Sequence, residues 1–456
     1  MKRTFFLLGS AQALCCVFML FAGNLRQNIV LCEIIYFTAF ALFLISLLLL
    51  KTAEKTENPA GPHGRKGYEL FLHQNYYLIC ILFFAVCFRG ILWFSPPTLS
   101  DDIYRYVWEG KMVASGINPF AVAPSDPSLA HLRDQAIYPN IARSTLAAIY
   151  PPLSQFIFAL SAWLSPTVYA AKLMFIVFDI LAIYILLLTL RELNMAVTRI
   201  AIYAMNPLII MEFAGSGHSD SAGIFFLLFA LYLCLKKRTY SPVVCLALSV
   251  LNKFLPLVFL PFMLGRKKAA NILLFVTAIV LFYVPFMSAG RKLFQSLTIY
   301  VEHWFFNASL YDVSLWVFND KSAAQRLSAA VLLLIMAGLY MWYLQKDPGE
   351  RGKALYYVAS IGLGSFLLLT PVVHPWYVCW IVPFLVIVPN RAWIFFSGAV
   401  FLVLRGYVAT GVWVEDPLVK LAQYLPFYGL LLYDSGRRIA QRSRHKERLL
   451  LNNVQL

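Results

Sequence analysis

Residues 150–166 read YPPLSQFIFALSAWLSP, and whether this run crosses a membrane decides how the whole chain is threaded. It is apolar enough to suggest a span. Counted as one, it would put Arg191 and Arg199 outside and invert every later loop, against the tendency of Lys and Arg to collect in the cytoplasm. At about 17 residues, opening on Pro151-Pro152 with Trp163 near its end, it reads better as a helix lying in the outer interface.

The rest of the chain supports that reading. Its 456 residues are 61% hydrophobic and only 13% charged, with a mean hydropathy of +0.71, too little polar surface for a soluble domain. Apolar runs of about 17 to 25 residues recur, as a bilayer core of roughly 30 Å requires of a helix, and the alternating pattern of a barrel is absent. The expected fold is all-α, a polytopic transmembrane helical bundle of about 12 to 14 spans with a long outer loop containing interfacial helices. The spans fall near 4–22, 29–50, 77–96, 167–190, 199–213 and 221–235, a short broken pair across 241–265, then 270–287, 324–344, 354–371, 376–389, 392–408 and 419–434. The chain divides into two N-terminal spans and a basic loop (1–76), a third span with the long outer loop (77–166), the main bundle (167–434) and a basic tail expected to be mobile (435–456).

Charge sets the orientation. About 24 of the 38 basic residues but only about 8 of the 22 acids lie in segments assigned to the cytoplasm, so the excess there equals the whole net charge of +16. Both termini are therefore expected in the cytoplasm, in a plasma membrane such as the bacterial inner membrane. The basic balance reports insertion and leaflet electrostatics, with no reason to infer nucleic acid. The eight cysteines fall inside expected spans at spacings unsuited to a metal cage and read as small packing residues.

The chemistry gathers on the outer side. Residues 100–111, SDDIYRYVWEGK, follow the Pro96-Pro97 exit from a span. Ser100 is suited to cap a helix ending near Gly116, whose first turn carries Asp101 and Asp102. Asp102, Tyr106 and Glu109 would share one face, with Arg105 beside them. A capped interfacial helix with an aromatic belt could carry the same residues without chemistry. Adjacent carboxylates repel, however, unless a divalent cation or a substrate hydroxyl awaiting deprotonation sits between them. His218 and Asp220 lie in a tight outer turn, Lys253 at the apex of the broken pair, His374 between two further spans and Arg405 in the last turn of a span. Asp179 and Glu212 lie deeper and need partners, with Lys172 or Arg199 as candidates, while Glu33 receives no role.

In order along the chain, DDIYRYVWEGKMVASGINPF (101–120), YPPLSQ (150–155), Asn206-Pro207, GHSD (217–220), LNKFLPLVFLPF (251–262) and HPWY (374–377) resemble the polytopic C-type glycosyltransferases. The nearest likeness is to the bacterial polyprenyl-phosphate-sugar mannosyltransferases, with a more distant one to the mannosyltransferase of GPI-anchor assembly. The similarity spans roughly residues 85 to 410, and the first two spans look like an addition that preserves parity. The chain departs from the usual pattern at Glu109 and Ser219, where relatives often carry Asp and Asn.

The resemblance implies an enzyme that moves a hexose, mannose favoured, from a polyprenyl-phosphate donor to a lipid, glycan or protein acceptor, usually with inversion. On that reading one of Asp101 and Asp102 is the base and the other orients the acceptor or holds an optional divalent cation. Lys253 and Arg405 would meet the phosphate, and His218, Asp220 and His374 would line the sugar pocket. A transporter or flippase of lipid-linked sugars also uses broken helices and buried charges. Its site would lie near the midplane, often between repeats, and no repeat is evident here.

Overall fold

A computed structural model describes residues 1–57, 67–265, 267–407 and 414–454. Among them there is no strand, only an isolated bridge between Phe306 and Val372. The all-α membrane bundle is borne out. Seven helices among the described residues are long and apolar enough to cross a membrane: Lys2–Phe21, Ile29–Glu54, Asn75–Trp93, Val168–Glu192, Lys268–His303, Lys321–Leu344 and Arg351–Leu369. An eighth crossing arises if Val197–Ala204 and Pro207–Gly215, bent by 55° at Asn206-Pro207, act as one.

The remaining apolar runs fold into short helices, among them Asp220–Leu235, Ser241–Asn252 and Pro375–Leu385. Hydropathy alone read each as a crossing; Asp220–Leu235 is an unbroken helix of 16 residues, whereas the runs after Asn252 and around Cys379 are broken, which is tolerated at depth where neighbouring helices enclose the backbone. The stretch between the expected spans 270–287 and 324–344 is likewise largely helical, with Gln295–His303 continuing the helix that starts at Lys268 and Leu310–Phe318 following it. Pro417–Val454 forms one helix that continues through the tail expected to be mobile.

The element that positions the acidic pair is α4, Asp102–Ala114, which follows α1 (Lys2–Phe21), α2 (Ile29–Glu57) and α3 (Gly67–Trp93). It starts one residue later than the Ser100 cap implied. Asp101 is the N-cap, and the Ser100 hydroxyl accepts from the Asp102 N–H at 3.4 Å. It stops where expected, with Gly116 at φ +74°. The following α5, Pro152–Leu164, is the 13-residue segment whose reading decided the topology. At 1.5 Å per residue it is about 20 Å long, short of a crossing. It lies between α4 and α6, Val168–Glu192.

Gly110 lets α4 approach α5. A Cβ there would stand 2.2 Å from the Phe158 carbonyl oxygen, and backbone cannot swing aside as a flexible side chain can. Gly110→Ala is expected to push the helices apart at a cost of about 1–3 kcal/mol. It should lower the unfolding temperature of the detergent-solubilised protein, and an unchanged temperature would contradict the tight crossing.

Contacts between loops fall into two sets. Arg26 with Asp101, Asn118 with Ser288, Ser296 with the Ala147 carbonyl and Lys420 with Asp312 join segments expected outside. Glu54 with Thr198, Lys236 with Glu192 and Arg391 with Asp434 join segments expected in the cytoplasm. The threading inferred from charge thus brings together ends that should share a side.

Deep in the bundle Asp179 pairs with Arg89, not with Lys172 or Arg199. Arg89 Nε lies 2.6 Å from the Asp179 carboxylate, and the Tyr203 hydroxyl donates to it at 2.8 Å. Lys172 instead donates to the carbonyls of Leu92 and Ser95.

Candidate active site

A cavity of about 930 Å³ opens beside the N-terminus of α4. Its lining joins two kinds of residue. Arg26, Asp101, Asp102, Arg143, Lys253 and His374 supply charge and polarity, while Leu255, Val258, Val301, Leu332, Phe366 and Leu404 supply an apolar wall. The volume suits a substantial ligand, and such a mixture suits one with a polar head and a hydrocarbon body.

The two aspartates are not equivalent. Asp101 faces Arg26, with Nη2 to Oδ1 at 3.2 Å and Nη1 to Oδ2 at 3.5 Å. Asp102 accepts from the Tyr150 hydroxyl at 3.4 Å and lies 4.0 Å from His218 Nε2. Both side chains line the cavity and are partly exposed, Asp101 by 42% and Asp102 by 37%, so the two differ in their partners and not in access. Among the described residues no group of three or more His, Cys, Asp or Glu side chains is arranged to hold a metal ion.

Behind Asp102 sits a buried ion pair. A π-helical turn, Met211–Gly215, directs Glu212 at His218, with Oε2 2.8 Å from Nδ1. Such turns often mark functional positions. His218 Nε2 meets the Ser100 hydroxyl at 3.1 Å. The Trp376 ring is sandwiched between the imidazoles of His218 and His374, at centroid distances of 4.0 and 4.2 Å. Glu212 thus has its partner in His218, not in Lys172 or Arg199.

Their surroundings push the two histidines in opposite directions. Burial works against a charged His218, but the hydrogen bond and charge of Glu212, with Asp102 and Asp220 beyond, outweigh it and raise its pKa above the ordinary value. Burial pushes His374 well below that value, and Lys253, His218 and Arg143 push it further. Because the folded state holds the His218 proton more tightly than the unfolded chain does, the resulting stabilisation is full below about pH 6.5 and is lost as pH rises through the raised value. The unfolding temperature of the parent should therefore fall over that alkaline range, and His218→Gln should remove this part of the fall. Identical pH profiles for the two would refute the pairing.

The other expected site residues divide between wall and support. Lys253 lines the cavity, sits 2.5 Å from the Asp220 carboxylate and lies over the Tyr377 ring. Asp220 is itself buried and also accepts from Trp380 Nε1 at 2.6 Å, so it supports the wall and does not line it. Arg105 reaches Glu109 at 2.7 Å and donates to the carbonyls of Arg143, Leu146 and Ala147, clamping the outer loop. Glu109 is buried and also accepts from Gln155 at 2.7 Å, and Tyr106 meets the Tyr150 hydroxyl at 2.9 Å.

Arg405 lies outside the cavity lining and pairs with Glu33, whose oxygens are 3.1 and 3.2 Å from its Nε. Arg143, by contrast, lines the cavity at φ +53° with its guanidinium 3.7 Å over the Trp304 ring. Arg26 and Arg143 were not singled out from the sequence. Each is one of about 14 basic residues in segments expected outside, and no signal in the sequence sets either apart from the others.

Residues 22–267, more than half of the chain, match the family model described as alpha-(1->6)-mannopyranosyltransferase, N-terminal domain. The match includes the Asp101-Asp102 helix, His218 and Lys253, and it begins inside the N-terminal helical hairpin. No curated protein matches, and no solved structure does.

Proposed function

This chain belongs to the α-(1→6)-mannopyranosyltransferase family, and from that premise we propose that it moves mannose from a polyprenyl-phosphate carrier to an acceptor hydroxyl on the non-cytoplasmic face. The observation that carries this reading is a single cavity in which carboxylates and cations share space with apolar side chains of membrane helices. A water-soluble nucleotide sugar has no use for such a wall. A polyprenyl phosphate matches both halves.

Asp102 takes the proton from the acceptor hydroxyl, and the freed oxygen attacks the anomeric carbon opposite the phosphate. The bond from that carbon to the phosphate oxygen breaks, and its electron pair leaves on the phosphate, where Arg143 and Lys253 meet the growing charge. His374, Trp376 and Tyr377 stand beside the sugar. Inversion that ends in an α linkage starts from a β-linked mannosyl phosphate. Charge bias supports cytoplasmic termini and a bacterial inner membrane. The acceptor presents a sugar 6-hydroxyl, on a free, lipid-linked or protein-linked glycan, since an α-(1→6) bond needs one.

The test supplies purified protein with polyprenyl-phosphate [14C]mannose, glucose or arabinose, or with GDP-mannose, and an octyl α-mannoside acceptor. Acceptor-dependent release of polyprenyl phosphate is expected with the lipid-linked mannose. If every lipid donor stays intact, or GDP-mannose alone supports transfer, the donor reading fails.

A further inference from the structure

We infer that Arg26, carried by the N-terminal helical hairpin, is the resident counter-ion of Asp101 and a positioning residue for transfer, so that the aspartate pair works without a divalent cation. The inference rests on the reading of Asp102 as the base. Two adjacent carboxylates at one helix start need a cation nearby, since like charges a few ångströms apart repel strongly where water is partly excluded. Sequence alone left a metal ion as one candidate. The fold supplies a guanidinium instead, facing both oxygens of Asp101.

Arg26 is held in place from several directions. Its Nη2 also donates to the Leu99 carbonyl at 3.3 Å, and the Asn24 side chain accepts from its backbone N–H at 3.1 Å. The preceding Leu25 N–H donates to the Thr98 hydroxyl at 3.0 Å. On α2, Glu33 ties the hairpin to Arg405. These bonds seat the turn between α1 and α2 on the segment leading into α4, so the hairpin that looked like an addition contributes to the cavity wall. Among the described residues no third acid or imidazole joins the pair to complete an all-protein cage of the kind Ca²⁺ takes, and Asp101 is already turned to a guanidinium. A Mg²⁺ or Mn²⁺ ion held by one carboxylate and the donor phosphate would need no such cage, and the EDTA arm below tests for it.

The test measures transfer from polyprenyl-phosphate [14C]mannose to an octyl α-mannoside by the full chain in detergent. Arg26→Gln is expected to lower kcat about 10- to 100-fold, the range that misplacing a reacting group produces. Arg26→Lys should recover most of the rate, and added guanidinium should partly rescue Arg26→Gln. The losses from Arg26→Gln and Asp101→Asn should not add, because both remove one interaction. EDTA should leave the parent unchanged.

Parental kcat in Arg26→Gln, fully additive losses, or parental transfer abolished by EDTA and restored by Mn²⁺ would each overturn the inference. Elution of Arg26→Gln and Arg26→Lys at the parental volume separates a local effect from misfolding. Asp102→Asn, assayed alongside, keeps the two readings apart: parental transfer by that variant removes the base assignment without touching the Arg26–Asp101 coupling.

Discussion

Asp102→Asn is expected to reduce mannosyl transfer by about 10²- to 10⁴-fold, the contribution typical of a positioned general base. The change keeps the shape of the side chain, leaves the Tyr150 hydroxyl a carbonyl to donate to, and removes the ability to accept the acceptor's proton. The loss should fall on kcat more than on the donor KM, because the base acts on the hydroxyl and not on the lipid phosphate. Asp101→Asn should cost less, since Asp101 is held by Arg26 and acts through position. Steady-state assays with polyprenyl-phosphate [14C]mannose, with unfolding temperatures recorded alongside, separate the two. Equal losses in both variants, or parental transfer by Asp102→Asn, would remove the distinction between the acids.

The largest stability effect is expected far from the cavity. Asp179→Ala leaves Arg89 charged and buried without its carboxylate, and breaking a buried pair from one side typically costs about 3–5 kcal/mol. Arg89 also donates to the Ala204 carbonyl at 2.8 Å, at the end of the segment before the Asn206-Pro207 break. Losing the pair should therefore loosen the bend that leads on to Glu212 and His218. The double replacement Arg89→Leu with Asp179→Leu removes both charges and should recover much of the loss, as exchanging a buried pair for apolar side chains often does. Unfolding temperatures in one detergent, across the parent, the single and the double variant, decide this. A single variant as stable as the parent would mean the pair contributes nothing.

Much of the site was legible before any coordinates. The helix Asp102–Ala114 appears where its acids and the following Gly116 put it, one residue off at the cap, because these are local signals and a local signal survives folding unless packing overrides it. Segment 150–166 could be kept out of the bilayer because charge sums on either side leave only one consistent threading. Which apolar runs form one long helix and which break into short ones was not legible. Hydropathy scores how apolar a run is, and a run such as 376–389 can be apolar because protein surrounds it, with its backbone broken where no lipid reaches.

Composition, hydropathy and the distribution of Lys and Arg thus determined that this is an α-helical membrane protein, which loops share a side, and that an acidic pair stands at the mouth of the bundle. These quantities are sums over neighbouring residues, and so the chain carries them without being folded. Only the tertiary structure decided that Asp101 faces Arg26 while Asp102 faces Tyr150 and His218, that Asp179 belongs with Arg89 and Glu212 with His218, and that Arg405 answers Glu33 across 372 positions of sequence. An ion pair depends on distance in space, and no local sum contains that distance.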